Sequence, residues 1–213
     1  MKSKGVAILG QTINVIALSS EYCSRGRFIA MDFAKKSGFT YYDDQALCAL
    51  LEDKTLFHDL QSLDEKLKHP EIHEGITQEI ISIQERLRPA IIMAAELGPC
   101  VIHERAAMAV LNQYAGLFTL MIQANDFEQK LMYAHIDSNV SVLQTKVDQV
   151  REEDRIWVTN YIYNQDHIRR HYHDTLVAYP WGGRTTYDLI LNSDRLSVEQ
   201  CGDLLKAVVE RSS

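Results

Sequence analysis

No stretch of this sequence is long and apolar enough to cross a bilayer, and basic residues are in the minority. A membrane helix needs roughly 20 apolar residues. The nearest candidate, Ile91 to Ile102, is broken by Glu96, Gly98 and Pro99. The N-terminal run after Met1-Lys-Ser-Lys is interrupted by Gly5, Gly10, Gln11, Thr12 and Asn14, so it does not read as a secretory signal. Lysine and arginine number 22 against 29 aspartates and glutamates, a formal net charge of −7. That balance excludes a general nucleic-acid-binding surface, which needs a basic footprint, but leaves room for a nucleotide held by local positive charge. The four cysteines (Cys23, Cys48, Cys100 and Cys201) lie far apart with no CxxC pair. Such spacing fits reduced thiols better than a disulfide framework or a zinc site. Internal repeats and low-complexity tracts are missing too. The expectation is a cytoplasmic protein without a membrane span, folded as one domain over residues 1–213.

What is present alternates between strand and helix patterns. Val15 to Leu18 reads as a buried strand, followed by a polar turn around Gly26. An amphipathic helix comes next, with Ile29, Ala30, Phe33 and Ala34 on one face, and stops at Gly38. Further strands are expected at Thr40–Tyr42, Cys100–Ile102, Leu117–Ile122 and Tyr187–Leu191. Between them, helical patterns run over about 43–53, from Ile76 to Gly98 with a kink or restart at Pro89, over about 104–113, and from about Val140 into the 150s. A short helix and a loop are expected over 56–74. Ser197-Val-Glu-Gln200 has the form of a capping box opening a last helix. Alternating strands and helices predict a mostly parallel sheet covered on both faces.

The turn at residues 19–27 holds the chemistry. A strand-turn-helix aims backbone N–H groups at one point, a ready anion site. Arg25 and Arg27 flank Gly26 at the helix start, where a cation opposes the helix dipole. Two such placements call for an anion nearby, either a ligand phosphate or Glu21 in the same turn. Asp43 and Asp44 both stand where a helix N-cap is needed, and the sequence does not separate them. Arg151 and Arg155 are four apart and share a helical face, either as functional cations or as partners of neighbouring acids. The cluster Asp166-His-Ile-Arg169-Arg170-His171-Tyr-His173-Asp174 matches no metal-ligand spacing and reads as a basic, aromatic insertion, by default a solvated loop.

Four blocks in order carry a resemblance that spans nearly the whole chain. Ser19 to Arg27 (SSEYCSRGR) is similar to a loop that typically reads SREYGSGGR. Phe39 to Asp43 (FTYYD) resembles an F-Y-D segment, and Gly98 to Arg105 (GPCVIHER) resembles GPCVIVGR. Tyr187 to Ser193 (YDLILNS) resembles YDLVINS. These are segments of the cytidylate kinase-like family, relatives of the nucleoside monophosphate kinases. The resemblance implies an α/β three-layer P-loop kinase-like fold with a five-stranded, mostly parallel sheet, helices on both faces and a helical lid. Residues about 43–97 would form a helical region for acceptor binding and oligomerisation, and about 140–184 the lid.

By resemblance, the chain transfers the ATP γ-phosphoryl group, with Mg²⁺, to a nucleotide or other small phosphorylated substrate. The alternative is a weakly active or inactive nucleotide-binding relative acting as a regulator. Ser20, Cys23, Ser24, Arg25, Gly26 and Arg27 would bind donor phosphates, and Asp43 and Arg105 the acceptor. Arg27, Arg151 and Arg155 would act on the transferring group, while no residue is assigned to the metal. Cys23, Arg25 and Glu104 replace family glycines: Cys23 and Arg25 add a Cβ where glycine allows close approach and positive φ, and Glu104 adds negative charge where a nucleotide phosphate would sit. A homodimer is expected through the helices between Ile76 and Leu97, whose isoleucines wrap more than one face.

Overall fold

The computed structural model describes residues 12–69, 75–137 and 152–211. Its centre is β1 (Val15–Ser20), buried at every position, as expected of a strand covered on both sides. β3 (Cys100–His103) and β4 (Leu117–Gln123) flank it. β2 (Thr40–Tyr42) lies outside β3 and β5 (Leu189–Asn192) outside β4. The order is β2-β3-β1-β4-β5, and every pairing is parallel. Val15 stands opposite both Cys100 and Leu117, so the three central strands begin level and their carboxyl ends converge.

Period-two alternation splits the core into two layers. Ile16, Leu18, Val101, Leu120 and Ile122 face α1 (Gly26–Ser37) and α8 (Val198–Glu210), meeting Ile29, Phe33, Cys201 and Leu205. Val15, Ala17, Cys100, Ile102 and Met121 face the opposite way, into the larger layer. That layer is built by α2 (Asp44–Cys48), α3 (Leu56–Leu67), α4 (Ile76–Leu97), α5 (Ala107–Val110) and part of α7 (Glu152–Leu176). α6 (Phe127–Asp137) packs beside α7. The helix expected after the first turn ends as read, at Gly38 in the left-handed conformation. Ser197 and Gln200 form both halves of the capping box on α8.

Several elements differ from the sequence reading. α4 does not restart at Pro89 but runs through it, because Leu87, Ala90, Ile91 and Ala94 on either side are buried in the same layer and hold it against the missing hydrogen bond. Leu56, Leu60, Leu63 and Leu67 make α3 a three-turn helix, and the loop expected around Pro70 lies outside the described residues. α5 starts only at Ala107, since Glu104, Arg105 and Ala106 all have positive φ. α2 ends at Cys48 rather than near residue 53. The His/Arg-rich insertion is no solvated loop: it is the second half of α7, and Ile168 and Tyr172 anchor it in the core.

The main apolar stripe of α4 is consumed inside the chain. Ile81, Met93 and Leu97 stay outside, exposed at 37, 39 and 65%. Much of the expected lid, residues 138–151 including Arg151, lies outside the described residues. Among the described residues no helix is long and apolar enough to cross a membrane.

Candidate active site

The carboxyl ends of β1, β2 and β3, the first turn of α1 and one side of α7 enclose a cavity of about 360 Å³. Open parallel sheets place ligands at this edge. The turn after β1 supplies one wall. Arg25 is the N-cap of α1 and holds φ 66°, and Cys23 holds φ 62°. These two positions, where the resembling loop has glycine, thus keep the glycine conformation with side chains attached. The strain is about 1–3 kcal/mol each. Gly26 is needed for space rather than for φ: a Cβ there would lie 2.4 Å from Ser20 Cβ and 2.7 Å from its Oγ. The N–H groups in the first turn of α1 have no partner within the helix and point out of its end.

Glu21 is held by Lys130 Nζ at 2.8 Å and by the Ala124 N–H at 3.1 Å. Arg25 is buried at 7% exposure, donates through Nη2 to the Ser193 carbonyl, and lies 5.2 Å from the Tyr133 ring centre. Its Nε has no hydrogen-bond partner, and among the described residues no carboxylate pairs with it. Arg27 is exposed and lines the same cavity. Ser24 is turned inward: its carbonyl accepts from Ser193 Oγ, and it is not part of the cavity lining.

The opposite wall comes from β3 and the left-handed residues after it. Glu104, at φ 68°, reaches across so that its Oε1 accepts from the Ser20 N–H at 2.9 Å and Ser20 Oγ at 3.0 Å. The same oxygen lies 3.3 Å from His103 Nε2 and 3.4 Å from Arg169 Nε. Burial pushes this carboxyl up, yet His103, Arg169 and the Ser20 N–H together hold it below its ordinary value. His103 Nε2 lies 2.9 Å from Ser20 Oγ, and His103 Nδ1 lies 2.8 Å from the Tyr41 hydroxyl.

Asp43 and Asp44 divide their work. Asp43 caps α2 through the Ala46 N–H at 3.0 Å. Asp44 grips Arg105, accepting from Nε at 2.9 Å and from Nη2 at 2.5 Å, while Asp64 accepts from Nη1 at 2.8 Å and Nη2 at 2.7 Å. Burial works against the charge on Arg105, but the two carboxylates outweigh it and the guanidinium holds its proton more firmly than usual. Arg105, expected to receive an acceptor phosphate, is therefore already doubly paired. Asp64 was legible as one polar position on α3, but nothing in the sequence pointed it at Arg105.

α7 contributes residues the sequence left as a surface insertion. Asp166 accepts from the Tyr22 N–H at 2.6 Å, and burial raises its carboxyl to about 6. The Arg169 guanidinium lies 5.1 Å from the Tyr22 ring centre. Arg155, at the start of α7, pairs with Glu128 on α6 rather than entering the cavity lining. Tyr172 donates to Gln84 Oε1 at 2.6 Å, and Gln84 Nε2 donates to the Arg105 carbonyl at 3.1 Å, a buried chain that fixes the backbone behind the site.

Among the described residues magnesium finds no protein-held seat. A P-loop supplies a hydroxyl directly after its cationic residue, and Phe28 follows Arg27. Among the described residues no group of His, Cys, Asp and Glu converges as a metal site, the 166–174 cluster included. A nucleotide fits better, since the turn offers a helix start and two guanidinium groups.

A parallel sheet in this order, with a phosphate-loop turn between its central strand and a helix, defines the P-loop kinase class of folds. The chain belongs to the cytidylate kinase-like family, whose profile matches residues 15–195. Among solved structures, an uncharacterized protein from Eubacterium ventriosum is similar with a TM-score of 0.66 and 18% identity, over 92% of this chain and 98% of that one. Shikimate kinase from Bacteroides thetaiotaomicron follows with a TM-score of 0.50 and 15% identity, over 92% and 98%. A Thermus thermophilus protein gives 0.53 and 14%, over 95% and 100%. No curated protein matches significantly.

Proposed function

We propose that the chain is a nucleotide-dependent phosphotransferase that binds the phosphates of ATP at the turn from Ser20 to Arg27. The observation that carries this reading is Arg25. A guanidinium that is buried, has no carboxylate partner among the described residues and keeps one donor unmet is costly unless an anion completes it. It sits at the start of α1, where the helix end favours negative charge, and Arg27 lines the same cavity. Phosphoryl transfer is mainly positioning and charge neutralisation, which these groups supply. Any magnesium ion would be carried by the donor's phosphates and water rather than by this chain's side chains.

Membership of the family supports nucleotide-kinase-like chemistry without fixing the acceptor. A nucleoside monophosphate acceptor would require Arg105 as an open cation, and Asp44 and Asp64 occupy it. A second reading, nucleotide binding without turnover, draws on Glu104, whose carboxylate takes up the Ser20 N–H beside the loop.

Calorimetric titration with ATP and ADP tests the proposal. Binding that weakens on Arg25→Met supports it, whereas no binding of either nucleotide by the folded protein at millimolar concentration overturns it. ADP release with an acceptor present separates the enzyme from the silent binder.

A further inference from the structure

Behind the main cavity lies an inner one of about 150 Å³, and the two share Asp44, Glu104 and Arg169 in their walls. The inner cavity is where an acceptor would sit relative to phosphates on the Ser20–Arg27 turn. Its charged groups are Asp44, Asp64, Glu104, Arg105 and Arg169, beside the neutral Ser19 and Gln165. Both cations are engaged, Arg105 by Asp44 and Asp64, and Arg169 beside Glu104. His173 lines the cavity at 3% exposure; its Nε2 faces the Tyr179 carbonyl at 3.2 Å, which can only accept, so Nε2 carries the proton. Nδ1 is then a lone-pair acceptor, and it has no partner. Burial holds the ring below its ordinary pKa, in the neutral form this requires. Both hydrogen bonds from Ser20 go to Glu104 Oε1, so Oε2 is the carboxylate oxygen that Ser20 does not hold.

The inner cavity thus presents paired cations, three carboxylates and the unmet His173 Nδ1, with the Ser19 hydroxyl and the Gln165 amide as neutral groups. An ionised phosphate or carboxylate carries only acceptors and would meet carboxylates there; a hydroxyl brings the proton that His173 Nδ1 and Glu104 both lack. We propose that the acceptor is a non-anionic, hydroxyl-bearing small molecule, held in this inner cavity by His173 Nδ1 and Glu104. This rests on the nucleotide-dependent reading above. In the step, the acceptor oxygen attacks the γ-phosphorus of ATP and forms the new P–O bond. The bond from γ-phosphorus to the bridging oxygen breaks, and ADP leaves with that electron pair. The hydroxyl proton passes to Glu104 Oε2.

The test is phosphoryl transfer from γ-labelled ATP to two acceptor sets, with the products read by ³¹P NMR. One set holds polyols, cyclitols, nucleosides and amino alcohols; the other holds nucleoside monophosphates and hydroxy acids. The expected result is a phosphate ester of a non-anionic acceptor, with kcat/KM at least about tenfold above any anionic one. Equal or preferred transfer to an anionic acceptor overturns the inference. So does the absence of transfer to every member by protein that binds ATP, an outcome that leaves the nucleotide site standing. Loss of ATP binding instead retires the underlying reading. Asp64→Asn gives an independent check: releasing Arg105 should improve binding of cytidine monophosphate about fivefold or more. Unchanged affinity in the folded variant would show that the carboxylates are not what excludes phosphate.

Discussion

Tyr22 gives its backbone N–H to the Asp166 carboxylate at 2.6 Å, tying the phosphate-loop turn to α7 across 144 positions of sequence. Burial raises this carboxyl from its ordinary 3.8 to about 6, because the charged form loses water faster than Tyr22, Arg169 and Lys130 replace it. Between these values the unfolded chain is ionised while the folded one keeps its proton. The contribution of Asp166 to stability therefore falls as pH rises from about 4 to about 6 and stays low above. Asp166→Asn should stabilise the protein at pH 7.5, by on the order of 1–3 kcal/mol, and little at pH 4. Thermal melts of both proteins at the two pH values check this; a gain equal at both would remove ionisation as the cause.

Gly26→Ala should destabilise the fold by about 1–3 kcal/mol through overpacking. The added methyl would overlap Ser20, which cannot retreat while Glu104 and His103 hold it. Urea denaturation measures the loss, and the wild-type midpoint in this variant would contradict the packing described.

Arg27→Ala should weaken ATP or ADP binding by about 1.5–3 kcal/mol, the range for a charged hydrogen bond to phosphate. Because Arg27 is exposed, the unfolding midpoint should change little. Calorimetry and melting on the same sample separate the two effects, and unchanged affinity would take Arg27 out of the site.

Arg155→Ala probes the proposed lid. Arg155 now pairs with Glu128 between α7 and α6. If this end of α7 swings over a bound nucleotide, the guanidinium exchanges that partner for the transferring group, and turnover should fall at least about tenfold with nucleotide affinity kept. Wild-type turnover would end the lid assignment and leave Arg155 as an interhelical ion pair.

The fold was largely legible because its signals are local. The apolar run of β1, the Ile29–Phe33 face of α1, the Gly38 stop and the Ser197 capping box each need only neighbours within one or two turns. Elements were misread where distant packing prevailed. Buried neighbours carry α4 past Pro89, and Ile168 and Tyr172 hold as helix a charged stretch that reads as surface.

For the site, the sequence by itself determined which residue types stand at the turn, and that Cys23, Arg25 and Glu104 occupy positions where the family has glycine; the structure gives all three positive φ. Only the tertiary structure decided their partners, because a charge's meaning depends on what lies within a few ångströms rather than a few residues. Arg25 and Arg105 read alike as arginines after strands. Folding leaves one buried with an unmet donor and closes the other between Asp44 and Asp64, and Asp64 comes from a helix 41 residues away in sequence.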